Sequence, residues 1–358
     1  MIDFDEYKKL GEPSVAEKSS IWQAAIGLQQ VDDLQPSEYL IRAAKENIEG
    51  KISIYEVKDR LNEYYSAHPV KSGMERTMEA DKVSAHIAEI LGEKTFNFTP
   101  AEYISIHKRL FAGVLGHKIA GKIREYNIEK SEWVLNGETV YYASADSIRD
   151  ALDYDFRQEK LFKYDGLSRR EIVRHIAKFI SGIWQIHAFS EGNTRTTAVF
   201  AIKYLQAMGF ETNNDLFAEH SWYFRNALVR ANYQNLEKNM AYTPDYLNCF
   251  FGNLLLGEKN VLKNRHMRIG VDIGKKSDNS TDINTDKLSN AELEFLHKVK
   301  EFLENNESIN NAQAQQLTGK SAETVKKRLG ALASSGTLIA VGVNKGRKYK
   351  LNLARNKK

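Results

Sequence analysis

One stretch of this 358-residue chain, Ile183–Phe200, constrains the fold more than any other. Its sequence, IWQIHAFSEGNTRTTAVF, contains an apolar run that ends at His187, a short polar loop, and a second apolar run. In both runs the apolar residues recur at helical spacing, which predicts two amphipathic or buried helices. Long apolar faces need partners to cover them, so the stretch predicts the centre of a helical core.

The loop carries groups suited to the handling of a nucleotide phosphate. Gly192 permits a tight turn and the close approach of an anion, and the helix after it directs free N–H groups and its positive dipole end into the loop. Arg195 can donate two hydrogen bonds to phosphate oxygens. Glu191 is a hard oxygen ligand suited to Mg2+, and His187 can take a proton near neutral pH. Each residue alone is more often a cap or a core residue, so the combination carries the prediction.

The stretch resembles the motif of the Fic (Fido) family, H-x-F-x-[D/E]-G-N-G-R-x-x-R. Members of this type usually transfer AMP from ATP to a hydroxyl of a protein side chain. Two positions depart from the motif: Thr194 replaces the second glycine, and Ala198 stands where the second arginine would be. The matching residues are His187, Phe189, Glu191, Gly192, Asn193 and Arg195.

The resemblance implies a role for each matching residue. His187 would be the base that deprotonates the target hydroxyl, and Phe189 would anchor the loop in the core. Glu191 would hold Mg2+ between the α and β phosphates of ATP. The acidic Glu191 and the adjacent Gly192 favour AMP transfer over phosphate transfer, since the phosphate-transferring branch of the family departs from the motif at these positions.

The same resemblance assigns the nucleotide phosphates to the residues that follow. Gly192 and Asn193 would form the anion nest, with Asn193 also on a phosphate and Thr194 in the same nucleotide-binding set. Arg195 would hold the β phosphate of the leaving pyrophosphate. The missing arginine at Ala198 normally helps to place the γ phosphate, which leaves the orientation of ATP open.

A later helix, predicted at 219–237, corresponds by approximate position to the helix that lines the adenosine pocket in the family. Tyr223 and Asn232 are the candidates for contact with the base, by stacking and by edge hydrogen bonds. Its apolar residues, such as Trp222 and Phe224, equally fit a helix that only packs in the core.

Residues 133–142, WVLNGETVYY, predict a β-hairpin, because two β-prone runs flank an Asn-Gly pair. The Fic family has a hairpin flap in this position, which pairs with an extended segment of the target protein by main-chain hydrogen bonds. The alternative is a small structural ribbon. The residues assigned to target docking are Trp133, Val134, Leu135 and Gly137.

The N-terminal 70 residues read as several helices, and they resemble the antitoxin-like segments that precede some Fic domains. In many of those proteins an inhibitory helix carries a glutamate that pairs with the second motif arginine. The nearest register here is Ser19-x-x-x-Gln23, with Gln in place of Glu. Since Ala198 also removes the arginine, we expect glutamate-based inhibition to be lost. The alternative is that this helix only packs.

The C-terminal part differs from the rest in charge. Residues 291–358 hold thirteen Lys and Arg against six Asp and Glu, a net charge of +7, while the whole chain has +4. A polar stretch at 274–287 predicts a linker before it. Helix, helix-turn-helix and a basic hairpin then resemble the winged-helix tails of some bacterial Fic proteins. The residues expected to meet DNA phosphates are Lys326, Lys327, Arg328 and Arg347. The alternatives are protein binding and a plain solvated face.

Composition excludes several classes. The hydrophobic content of 42% and the charged content of 27% are those of a soluble globular protein. The single cysteine, Cys249, excludes an intramolecular disulfide framework and suits a reducing cytoplasm. Neither a secretory leader nor a membrane span is predicted. His107 and His117 lack acidic or cysteine neighbours at metal-ligand spacing, so they are interpreted as structural.

We therefore expect a mainly α protein with a Fic-type helical core and flap at 75–260, an N-terminal helical unit at 1–70, a linker at 261–288 and a winged helix at 289–358. The predicted activity is Mg2+-dependent transfer of AMP from ATP to a hydroxyl of a target protein or of the chain itself. Rival hypotheses are transfer of another phosphate-containing group, a nucleotide-sensing DNA-binding regulator, and a toxin fused to its antitoxin. A homodimer is left open.

Overall fold

The computed structural model of the chain forms two compact units, residues 1–263 and 264–358. Three expectations fall wholly or partly outside the residues that it describes: His117, residues 270–288 of the linker expected at 261–288, and the tip of the wing at 343–346. No helix in the described part of the chain is both long and apolar enough to cross a membrane. The described residues are 13–68, 75–116, 118–210, 215–238, 240–269, 295–296, 298–299, 302–303, 306, 308–334, 338–342 and 347–351.

The first unit is built from helices, which confirms the mainly α class. Short 3-10 turns join some of them, at Leu28–Asp32, Trp133–Leu135 and Ala145–Ser147. The helices are α1 (Val15–Gly27), α2 (Glu38–Ile48), α3 (Ile54–Ala67), α4 (Glu75–Gly92), α5 (Pro100–Leu110), α6 (Ile148–Leu161), α7 (Arg169–Ile186), α8 (Asn193–Ala207), α9 (Asp215–Asn232) and α10 (Asp245–Leu256).

Local capping explains where several of these helices begin. Ser53 accepts the N–H of Glu56, and the Glu56 carboxylate accepts the N–H of Ser53, so the two residues form a capping box. Ser37 caps α2 by accepting the N–H of Leu40. Thr99 caps α5, with proline at the first helical position. A cap of this kind stabilises a helix by about 1 kcal/mol.

The N-terminal helices and the central helices share this one compact unit. Helix α1 packs against α4 and α9. Gly27 at the end of α1 lies so close to Ala218 of α9 that an added Cβ would stand 2.4 Å from the Ala218 Cα. On α4, buried Asp81 accepts hydrogen bonds from the Ser37 N–H and the Tyr65 hydroxyl, at 2.7 and 2.6 Å. These contacts fix α2 and α3 against α4.

The two helices around the motif form the centre of the core. Helix α7 begins with a capping box between Ser168 and Glu171, and α8 is buried over nearly all of its length. Aromatic rings pack around them in edge and tilted arrangements, which the ring quadrupoles favour over a face-to-face sandwich. These rings belong to Phe98, Tyr103, Phe156, Phe179, Phe200 and Tyr204.

The flap, defined here as residues 127–142, reverses direction where the sequence predicts it. Asn136 takes the left-handed conformation with φ of 52°. The N–H of Gly137 donates to the Glu132 carbonyl at 3.0 Å, and the N–H of Glu132 donates to the Glu138 carbonyl at 2.9 Å. A tight turn is therefore closed at Asn136–Gly137.

The paired strands expected on either side of this turn are not formed. Residues 133–135 make a 3-10 turn, and 139–142 belong to no strand or ladder in the described part of the chain. Val134 and Leu135, which are neighbours in sequence, are both fully buried. A strand places successive side chains on opposite faces, so burial of both favours the helical turn over the strand.

The second unit has its own core and a small sheet. It contains β1 (Ile309–Asn310), α11 (Asn311–Thr318), α12 (Ala322–Ser334), β2 (Leu338–Val341) and β3 (Lys348–Leu351), with a short 3-10 turn at Asn264–Met267. The antiparallel strands lie in the order β1-β3-β2. The core is formed by Phe295, Leu296, Val299, Leu303, Ile309, Ala314, Val325, Leu329, Leu332, Leu338 and Tyr349.

Candidate active site

The motif loop joins the end of α7 to the start of α8. His187 ends α7 in the left-handed conformation, with φ of 50° and ψ of 56°, and its N–H donates to the Trp184 carbonyl at 3.0 Å. Gly192 begins α8 with φ of 73°. A Cβ at Gly192 would lie 2.2 Å from the ring of Phe111. Both the backbone conformation and the space thus require glycine, as the sequence predicts.

Asn193 holds this loop closed. Its Oδ1 accepts the N–H of Phe189 at 2.9 Å, and its Nδ2 donates to the carbonyl of Phe189 at 2.7 Å. The side chain therefore holds the loop together from within, using Oδ1 and one hydrogen of Nδ2. The contact of Asn193 with a phosphate stays a prediction. Thr194 is also engaged, because its hydroxyl accepts the indole N–H of Trp184 at 3.0 Å.

His107 packs against the motif loop, which agrees with the structural role predicted for it. Its ring stacks on the ring of Phe189 at 3.7 Å between centroids. Nδ1 accepts the N–H of Gly121 at 2.8 Å, so Nε2 carries the proton and donates to the Glu191 carbonyl at 3.0 Å. Burial lowers the pKa of His107 to about 4, so the ring stays neutral and keeps this tautomer.

The imidazole of His187 has the state required of a base. Its Nδ1 lies 3.2 Å from the Trp184 carbonyl, which accepts only a hydrogen bond and so places the proton on Nδ1. Nε2 is buried and has no hydrogen-bond partner among the described residues. Burial lowers the pKa of His187 well below its usual value, and nearby cations, first Lys130, lower it further. The free lone pair on Nε2 is therefore available to a proton donor.

The flap covers His187 and supplies a cation. The ring of Tyr142 lies 4.1 Å from the His187 ring. Lys130 Nζ lies 3.9 Å from the carboxylate of Glu191, whose side chain is 62% exposed. Among the described residues no group of three or more His, Cys, Asp or Glu side chains could hold a metal ion. Glu191 nevertheless fits Mg2+, because that ion is often bound by one carboxylate together with substrate phosphates and water.

The contacts of Arg195 differ most from those that the sequence predicts. Its guanidinium is buried and bound by protein groups: Nε lies 2.7 Å from Asp32 Oδ2, one terminal nitrogen lies 2.6 Å from Glu79 Oε1, and the other donates to Gln29 Oε1 at 3.2 Å. The ring of Phe111 covers it at 4.8 Å. The β-phosphate contact expected for Arg195 is therefore closed in this arrangement.

Sequence reasoning missed these partners, because they lie far from the motif and belong to no pattern. Gln29 and Asp32 come from the 3-10 turn after α1, and Glu79 comes from α4. Gln23, the residue expected to approach the motif, is exposed on α1. The N-terminal helical region does reach the motif, but it does so through Gln29 and Asp32 of the 3-10 turn that follows α1.

The residues expected in an adenosine pocket are committed to the core. The hydroxyl of Tyr223 donates to the Tyr246 carbonyl at 3.2 Å, and burial raises its pKa. The amide of Asn232 donates to Ser181 Oγ at 2.8 Å and to the Leu228 carbonyl at 2.9 Å. These contacts favour the alternative in which the residues of α9 pack rather than bind a base.

Of the docking residues expected on the flap, Val134 and Leu135 are fully buried, Trp133 is half-buried and Gly137 is exposed. The ring of Trp133 lies 6.3 Å from that of Trp222. Glu132 before them is buried and forms an ion pair with Arg225 at 2.8 Å. Within the flap, Tyr141 is the large hydrophobic side chain that is most exposed. Side-chain contacts of Val134 and Leu135 with a target are therefore not available in this arrangement.

The cations expected to meet nucleic acid divide into two groups. Lys326, Lys327 and Arg347 are exposed on the second unit. The guanidinium of Arg328 instead lies over the ring of Phe295, 5.6 Å from its centroid, as part of the packing of α12.

Comparisons with known proteins agree with the motif. Residues 97–205 match the model of the Fic/DOC family. No curated protein matches the chain. Among solved structures, the chain is similar to the N-terminal FIC domain of Bep8 protein, a VirB-translocated effector from Bartonella sp. 1-1C, with 20% identity, TM-score 0.40, and coverage of 53% of this chain and 88% of that one. It is also similar to the N-terminal Fic domain of a Bartonella effector protein (Bep) from Bartonella sp. AR 15-3, with 18% identity, TM-score 0.41, and coverage of 52% and 84%.

We expect acid to destabilise the first unit through its buried neutral histidines. Burial lowers the pKa of His107 and His187 below the ordinary 6.5. The unfolded chain therefore binds protons at these two histidines that the folded chain does not bind. This contribution to stability is present above the unfolded pKa and is lost as the pH falls below it, by about 1.4 kcal/mol per pH unit for each histidine.

Urea unfolding at about pH 7 and about pH 5 measures this loss of stability. A His107→Gln variant, whose side chain does not titrate, should lose less stability between the two pH values than the unaltered chain. An equal loss in both would show that protonation of His107 does not contribute.

Proposed function

We propose that this chain, which carries a Fic/DOC family domain at residues 97–205, transfers AMP from ATP to a hydroxyl group of a protein side chain. The imidazole of His187 is the main support: it is buried and neutral, and its Nε2 lone pair is unused among the described residues. A base of this kind, next to an anion nest at a helix N-terminus, suits the attack of a hydroxyl on a phosphate.

The proposed step is an in-line displacement at the α phosphorus of ATP. The target oxygen forms a bond to that phosphorus, the bond to the bridging oxygen of the β phosphate breaks, and pyrophosphate leaves. The hydroxyl proton goes to Nε2 of His187. Because Nδ1–H is directed at the Trp184 carbonyl, the imidazolium that forms stays oriented and is partly stabilised.

The charges around the loop suit a polyphosphate. Lys130 and the free N–H groups at the start of α8 present positive charge to the loop. Glu191 would hold Mg2+, which would neutralise the charge that develops on the leaving group. Most of the rate enhancement would come from positioning and from this charge neutralisation, because phosphoryl transfer leaves little covalent chemistry to the protein.

We expect incubation with Mg2+ and α-labelled ATP to label the chain itself or a hydroxyl-bearing protein of a cell lysate. A His187→Ala variant should lose this label, because the proton acceptor is gone, while a His68→Ala variant should keep it, since His68 is exposed on the end of α3.

Label from γ-labelled ATP would indicate phosphate transfer instead. Tight binding of ATP without transfer to either the chain or a lysate would contradict AMP transfer and favour a nucleotide-sensing regulator.

The contacts of Arg195 support the interpretation of this arrangement as a closed state of the site. Glu79 accepts a hydrogen bond from one terminal nitrogen of Arg195, and the carboxylate of Asp32 lies 2.7 Å from Nε without the alignment of a hydrogen bond. Both carboxylates pair with the positive charge that a β phosphate would use. An anionic phosphate and these two carboxylates therefore compete for one guanidinium, and nucleotide binding requires the exchange.

A double variant, Asp32→Asn with Glu79→Gln, should bind ATP more tightly and transfer faster, because neutral amides hold the guanidinium less strongly. We expect about a tenfold gain, which corresponds to about 1.4 kcal/mol. Calorimetric titration with ATP and Mg2+ measures it, with Asp33→Asn as the control. Weaker binding by the double variant would show that Arg195 is a structural residue and not a nucleotide ligand.

A second candidate function is DNA binding by the second unit. Its order β1-α11-α12-β2-β3 with an antiparallel sheet supports a winged helix. Lys326 and Lys327 are exposed on α12, the helix that would occupy the major groove, and Arg347 is exposed beside β3. Residues 291–358 also carry the net charge of +7. Double-stranded DNA is the partner that fits this combination best.

Lys326→Gln with Lys327→Gln should weaken binding of the full chain to duplex DNA. The slope of log affinity against log salt should fall by about 2, one for each lost phosphate contact. Fluorescence anisotropy over a salt series measures this. The matched control is Lys160→Gln with Lys163→Gln, two exposed lysines of the first unit. Equal slopes in all three proteins would contradict a DNA-binding role for α12.

A further inference from the structure

Arg124 lies buried between the motif loop and the base of the flap. Its Nε donates to the His187 carbonyl at 2.8 Å, and one terminal nitrogen donates to the Tyr126 carbonyl at 2.7 Å. The other terminal nitrogen donates to the carbonyls of Ala143 and Ile186. The backbone N–H of Arg124 donates to the Ala188 carbonyl at 3.0 Å. No carboxylate pairs with it among the described residues.

These contacts satisfy the carbonyl groups at the end of α7. The last carbonyls of a helix lack partners within the helix and carry partial negative charge. Arg124 supplies donors to three successive residues there, Ile186, His187 and Ala188. A fixed planar cation with five donors suits this position, and the charge of the buried guanidinium is offset by the negative end of α7.

The same contacts fix the backbone of His187. A residue other than glycine in the left-handed conformation costs about 1 kcal/mol and persists only where its surroundings determine it. The carbonyl of His187 is held by Arg124 and its N–H by Trp184. The direction of the imidazole therefore depends on Arg124 although the guanidinium bonds only backbone atoms there.

Both ends of the flap depend on this guanidinium as well. Tyr126 precedes the flap and Ala143 follows it, and the carbonyls of both accept from Arg124. Tyr142, the last residue of the flap, lies against the His187 ring. A movement of either end of the flap must therefore break hydrogen bonds of the Arg124 guanidinium, which also holds the carbonyl of His187.

We propose that Arg124 is a positioning residue that sets the orientation of His187 and couples it to the conformation of the flap. This role deepens the proposed transfer function, in which His187 is the base and the flap lies over it. It distinguishes Arg124 from Arg225, whose guanidinium is paired with Glu132, and from Lys130, which faces Glu191.

The test compares Arg124→Gln and Arg124→Lys with a matched control, Arg149→Gln. Arg149 is exposed on α6 and lines the same groove of about 630 Å3 as Arg124. Hydrogen exchange of the flap and motif-loop amides in the full chain, without nucleotide, is the first measurement. We expect at least tenfold faster exchange in both Arg124 variants, since neither glutamine nor lysine can donate hydrogen bonds to all four carbonyls that the guanidinium reaches. The control, Arg149→Gln, should show no change.

The second measurement is the pKa of His187, determined from an NMR titration of the imidazole. His187 is faced by Lys130 and Tyr142 of the flap, by Arg225 of α9, by Trp184 of α7 and by Arg124. Cations lower its pKa, so Arg124→Gln should raise it, while Arg124→Lys should leave it low because the charge is kept. A residue that only fills space would move neither quantity.

The third measurement separates binding from catalysis. Arg124→Gln should lower kcat for AMP transfer by on the order of 100-fold, because a misplacement of the base by about 1 Å has that effect. The Kd for ATP with Mg2+ should stay unchanged, since Arg124 contacts no group assigned to the phosphates.

The proposal is overturned if flap exchange and the pKa of His187 are unchanged in a folded Arg124→Gln protein. Should that variant fail to fold, unchanged flap exchange in Arg124→Lys overturns it equally. The first two measurements need no transfer activity, so a chain that transfers no AMP would contradict the proposed function without deciding the role of Arg124.

Discussion

The architecture depends on closing one polar loop between two buried helices. Each helix end leaves backbone groups without partners inside the helix, and the core around α7 and α8 excludes water from them. Three side chains satisfy these groups: Arg124 on the carbonyls of Ile186 and His187, His107 on the carbonyl of Glu191, and Asn193 across the loop. Arg124 and His107 come from distant parts of the chain. The backbone of the loop is thus held by hydrogen bonds before any substrate binds.

The burial of His187 has an electrostatic consequence. Together with the surrounding cations it keeps the imidazole neutral, while Nε2, which has no partner among the described residues, costs free energy that the fold must offset elsewhere. Buried polar atoms without partners are rare in folded proteins, and a catalytic role is one of the explanations for them. The negative charges of Asp32 and Glu79 hold Arg195 in the first turn of α8. The motif therefore combines a buried neutral imidazole with an arginine that carboxylates already bind.

The sequence predicted features that depend on neighbours along the chain. The left-handed turn at Gly192 and the tight turn at Asn136–Gly137 follow from local geometry, and both are found. The predicted strands of the flap are not formed, because burial of both Val134 and Leu135 outweighs the local β propensity. Tyr223 and Asn232 were assigned from their approximate position on a helix, and helical spacing cannot tell a residue that lines a pocket from one that packs in the core.

By itself, the sequence determined the helical class, the motif from His187 to Arg195 and the charge difference between the two parts of the chain, because periodicity, turn chemistry and residue type are local properties. The tertiary structure alone decided the partners of Arg195, the tautomer of His107 and the hydrogen bonds of Arg124 to the end of α7. These depend on contacts between residues separated by tens to more than a hundred positions, such as Gln29 with Arg195. No local pattern encodes them, since they exist only after the core has packed.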